Sequence, residues 1–144
     1  MSVIQILREV ILTVFLGWNT YLDIRWKRIS MLSVCAAGVL GVMLGFYEGS
    51  LLIMDFILGL FPGLVVFLLA RLTREEIGYG DGWGLIVTGI FLGGADNLRA
   101  CITAVLLAGI WALMLLVLFH KNRKYEIPFL PFLLCGVLSV RWLT

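Results

Sequence analysis

The sequence predicts an all-α polytopic membrane protein with six transmembrane helices, and three observations carry that prediction. First, the 144 residues are 62% hydrophobic and only 14% charged, with a mean hydropathy of +1.07, which is too apolar to keep a water-soluble surface. Second, six apolar runs follow one another, most of them long enough to approach the ~30 Å of a bilayer's hydrocarbon core. Third, the basic residues lie in short clusters between those runs instead of along one face. The formal charge of +2 therefore reports topology and gives no reason to expect nucleic acid as a partner. Residues 1–144 read as a single transmembrane domain, with membrane lipid around it and no soluble domain.

The first run, Ile4 to Leu22, is interrupted by Arg8 and Glu9, which must lie near its outer end or pair along the helix. Met31 to Tyr47 and Leu51 to Leu72 follow, and Asp55 in the third run is expected to snorkel from its outer end. The fourth run, Trp83 to Ala95, is short and glycine-rich. It is expected to start inside the preceding loop near Asp81, or to sit among helices that thin the local barrier. Leu98 to Phe119 and Ile127 to Leu143 complete the set.

Arg25, Lys27, Arg28, Arg71, Arg74, Lys121, Arg123 and Lys124 fall on one side of this zigzag, and Arg8, Arg99 and Arg141 on the other. The positive-inside rule makes the first side cytoplasmic and puts both termini outside, in an integral protein of the cytoplasmic membrane. Arg8-Glu9 would be a poor n-region and no A-x-A site follows, so no cleavable signal peptide is expected.

That topology brings Ile77 to Gly84, I-G-Y-G-D-G-W-G, to the cytoplasmic face, with Asp81 between Gly78, Gly80, Gly82 and Gly84. Asp23 ends the first run at the same depth and on the same side. Two carboxylates that meet in a partly desolvated site cannot both ionise cheaply, so the pair holds one proton near neutral pH. Such a pair can split an amide with water, the ionised member taking a proton from water while the other donates to the carbonyl oxygen. Glycines beside the acid permit positive φ and let an extended substrate backbone come close. Plainer readings stand beside this one: Asp81 as the N-cap of the fourth helix among ordinary turn glycines, and Asp23 as a solvated acid offsetting Arg25 and Lys27.

Other chemistries find little support. The glycine spacing is not G-x-G-x-x-G, no strand precedes it and no G-K-[ST] follows, so it is not a phosphate loop. His120 is the only histidine, in a basic loop where it should be solvated, which argues against a histidine triad or a metal site. Cys35, Cys101 and Cys135 lie in apolar runs without C-x-x-C. Glu75, Glu76, Glu126 and Asp96 form no better constellation, and no metal or organic cofactor is expected.

The sequence resembles the prepilin peptidases, or type IV leader peptidases, and their preflagellin peptidase relatives. Asp23 to Met31, D-I-R-W-K-R-I-S-M, is similar to the family segment in which an aspartate precedes basic residues and Ile-Pro-Asn. Gly78 to Asp81 is a G-x-G-D motif, and Ile127 to Leu133, I-P-F-L-P-F-L, resembles the family's I-P-F-G-P-F-L. Ser30 and Met31 replace Pro-Asn, Trp83 stands where many members have lysine, and Leu130 replaces glycine.

The resemblance implies an aspartic endopeptidase with Asp23 and Asp81 catalytic. It also implies that Gly78, Tyr79, Gly80, Gly82 and Trp83 position a pilin-like or pseudopilin-like precursor, whose short basic leader is cut after glycine. No paired-cysteine segment is present, so N-methylation of the product is not expected. The alternatives are a non-enzymatic membrane protein, either a degenerate homologue in pilus assembly or a small proton- or cation-coupled carrier using Asp23 and Asp81. A presenilin-like intramembrane protease shares G-x-G-D but would be a larger chain.

Overall fold

The computed structural model describes residues 2–49, 52–73, 78–120 and 125–143. The basic and acidic residues assigned above to 74–76 and 121–124 lie outside the described residues. The chain is all-α, with α1 Val3–Trp26, α2 Met31–Glu48, α3 Ile53–Leu72, α4 Tyr79–Leu92, α5 Gly94–Leu118 and α6 Leu130–Leu143. Four of them, α1, α2, α3 and α5, are long and apolar enough to cross a membrane, and α6 is a shorter apolar helix. The protein is therefore an integral membrane protein.

The predicted elements are all present, and their ends move for identifiable reasons. α1 runs a turn past Leu22, so Asp23 is helical, and Lys27 closes the helix in the left-handed region at φ 53°. α4 starts at Tyr79, inside the glycine segment as expected. α5 starts at Gly94 instead of Leu98, which moves Asp96 and Arg99 from a loop into the first turns of a helix. A single residue, Gly93 at φ 81°, separates α4 from α5. α6 starts at Leu130 instead of Ile127, because Pro128 disfavours helical geometry at the residue before it, whereas Pro131 suits a first turn.

α4 is the central helix: it touches each of the other five, whereas α2 and α3 do not touch each other among the described residues. The core gathers Leu12 and Leu16 of α1, Leu85 of α4, Ala100 and Ala104 of α5, and Leu130 and Leu133 of α6. α3 and α4 approach most closely, at a glycine-on-glycine crossing where a Cβ on Gly89 would lie 1.9 Å from the Gly59 carbonyl oxygen. Only glycine lets two helix backbones meet at that distance.

One end of the bundle is a lock of ion pairs. Arg8 binds Glu48 of α2 at 2.8 Å and donates to the Phe91 carbonyl of α4 at 2.9 Å, while Glu9 binds Arg141 of α6 at 2.9 Å. Of the two alternatives expected for Arg8 and Glu9, both lie near the N-terminal end of α1, and each pairs across to another helix instead of along its own. Asp55 is exposed in the first turn of α3 and accepts the Gly94 N–H at 2.8 Å, supplying from α3 a cap for the start of α5. Arg99, exposed at the same end, pairs with Asp96 at 3.0 Å.

Candidate active site

Asp23 and Asp81 lie at the end opposite the lock. Asp23 is three residues from the end of α1 and half-buried. Its Oδ2 accepts the Leu130 N–H of α6 at 3.1 Å. A first helical turn leaves its N–H groups without intrahelical partners. In α6, Pro131 has none to give, Phe132 bonds back to the Phe129 carbonyl at 3.0 Å, and the Leu130 donor goes to Asp23.

The turn after Asp23 is held from within. Asn19, fully buried one turn earlier in α1, donates to the Phe15 carbonyl at 2.9 Å and to Ser33 Oγ at 2.8 Å, and accepts the Ser30 N–H at 2.9 Å. Ser30, where the resemblance would put proline, is the N-cap of α2. Lys27 Nζ bonds the Glu126 carbonyl and lies 5.7 Å from the centre of the Tyr125 ring, clipping this turn to the segment that leads into α6. Nothing in the sequence pattern marks Asn19 or the Leu130 amide for these roles.

Asp81 sits in the first turn of α4, a helix of 14 residues that is not among the candidate spans. Gly78 is the N-cap, and no side chain caps the helix, so the reading of Asp81 as the N-cap is not what the chain adopts. Leu130 links the helices of the two acids: its N–H goes to Asp23, and its side chain fills the space beside Gly84, one turn after Asp81.

The glycines do different work from that expected. Gly78 is ordinary extended backbone at φ −68° and ψ 135°, and Gly80, Gly82 and Gly84 are helical, so none of the four uses positive φ. Gly82 and Gly84 are buried packing positions. A Cβ on Gly82 would lie 3.2 Å from the Phe67 ring, and one on Gly84 would lie 2.7 Å from Leu130 Cδ2. Gly78 and Tyr79 are the exposed members of the predicted positioning set. Trp83 and Tyr79 both pack on Phe67 of α3, at ring separations of 5.0 and 6.0 Å, a partner that sequence reasoning missed. His120 is exposed, as expected for a solvated histidine.

The sequence model of the Type IV leader peptidase family matches residues 10–119. The chain belongs to that family. The match includes both Asp23 and Asp81 but stops short of Ile127 to Leu133, so the leader peptidase family is shown on α1 to α5, and α6 enters through its contacts. No curated protein and no solved structure matches the chain.

Proposed function

We propose that this member of the leader peptidase family is a membrane aspartic endopeptidase whose acid–base pair is Asp23 and Asp81. The observation that carries the reading is the placement of these two carboxylates, from α1 and α4, at one end of the bundle, where Leu130 gives its N–H to Asp23 and packs its side chain beside Gly84 in the turn after Asp81. One carboxylate and one carboxylic acid can hydrolyse an amide without a metal or organic cofactor. Water attacks the carbonyl carbon as its proton passes to the carboxylate, and the acid donates to the carbonyl oxygen. The tetrahedral intermediate then breaks its C–N bond, the amine leaving with the proton that water gave up while a hydroxyl proton returns to the other carboxylate as the C=O bond reforms.

In this reading all six helices cross the membrane as one domain, and the Asp23–Asp81 end faces the cytoplasm. Arg25, Lys27, Arg28 and Arg71 are exposed at that end, whereas Arg8, Arg99 and Arg141 at the other are each paired with an acid, which deepens the charge asymmetry. The substrate is a pilin-like or pseudopilin-like precursor. Its leader lies extended at Gly78 and Tyr79, and its glycine precedes the scissile bond.

The test is cleavage of a co-purified precursor bearing a basic leader, a glycine and an apolar helix. The parent protein should cut after the glycine, and a precursor with a bulky residue there should resist. Cleavage by folded Asp81→Asn protein near the parent rate would overturn the assignment, and solute uptake without processing would favour the carrier.

A further inference from the structure

The two carboxylates are not equivalent, and the segment that opens α6 makes the difference. Asp23 receives the Leu130 N–H, the first donor of α6, at 3.1 Å. That bond favours the ionised form. The positive end of α6 points the same way, since a helix start attracts negative charge. Around Asp81 the balance is opposite: no hydrogen bond reaches its carboxyl group among the described residues.

We infer that the Leu130 N–H holds Asp23 as the carboxylate that activates water, so that Asp81 carries the proton and is the acid that gives it to the carbonyl oxygen. The inference rests on the peptidase reading for its chemistry, but not for the place of the proton. Ile127 to Leu133 thereby acquires a role in the site. The segment lies outside the family match, yet its backbone sets the charge state of an acid 107 residues earlier. Leu130 is then a positioning residue that acts through Asp23.

Infrared difference titration of the purified protein in lipid nanodiscs reads the proton directly, whether or not a substrate is cut. The parent should show a protonated carboxyl band that disappears as pH rises. Asp81→Asn should abolish that band, and Asp23→Asn should keep it while moving its titration to lower pH, because the like charge is gone. Loss of the band in Asp23→Asn with retention in Asp81→Asn would overturn the assignment.

A second variant removes the donor alone. Replacing the Leu130 amide by a backbone ester deletes one N–H and leaves every side chain. The low-pH limb of cleavage should then move up by about one pH unit, the scale of a single backbone hydrogen bond to a carboxylate. An unmoved limb in an active ester variant would also overturn it, whereas a parent that cuts nothing but gives the expected infrared pattern would sink the peptidase reading and leave the proton's place standing.

Discussion

The Leu130 N–H points at Asp23 Oδ2 at 3.1 Å, joining the start of the last helix to the end of the first. Asp23 therefore has a hydrogen-bond partner on another helix. Asp81 is placed by a different element, the first turn of α4, whose angle is set by the Gly59–Gly89 crossing.

If the two acids work as one unit, Asp23→Asn and Asp81→Asn should each lower cleavage roughly 10³-fold or more, and the double variant should lose little further. Rates that multiply in the double variant would show that the acids act separately.

Asn19→Ala should destabilise the protein by about 2–3 kcal/mol, because it leaves the Ser30 N–H without its partner and removes two further bonds. It should also lower cleavage in the protein that still folds, since the turn after Asp23 loosens. Normal melting would mean that the turn is held by its caps alone.

Gly89→Ala and Gly78→Ala separate packing from access. The first places a Cβ 1.9 Å from a backbone oxygen that cannot move aside, and should cost about 1–3 kcal/mol or prevent folding. The second meets nothing nearer than Asp81 Oδ2 at 3.9 Å, so folding should be normal and any loss should appear in cleavage. Expression yield and melting temperature check the first, and precursor processing checks the second.

Orientation can be read by labelling a chain freed of its three native cysteines. Asp96→Cys should react from outside and Arg71→Cys from the cytoplasm; breaking the exposed Asp96–Arg99 pair should cost at most about 1 kcal/mol. Labelling of Asp96→Cys from the cytoplasm would invert the topology.

Much of this architecture was legible in the sequence, because apolar runs and turn signals are local. That Asp23 and Asp81 fall at one end of the bundle was legible too, from the alternation of the helices. What escaped is what depends on partners far along the chain. α5 begins early because Asp55, 39 residues before Gly94, caps it, and Arg8 finds Glu48 rather than a neighbour on its own helix. The glycines around Asp81 looked like an opening for substrate, but Gly84 is small because Leu130 fills the space beside it. Leu130 stands where the resemblance would put glycine, so the two positions are intelligible only together.

The lock of Arg8, Glu48, Glu9 and Arg141 has a mechanical consequence. It braces α1 against α2, α4 and α6 at that end, while at the other end the Asn19 bonds to Ser30 and Ser33 and the Asp23–Leu130 bond brace α1 against the start of α2 and against α6. α1 is thus pinned at both ends like a tie-rod, and the carboxylate near its end is held against rotation about the helix axis.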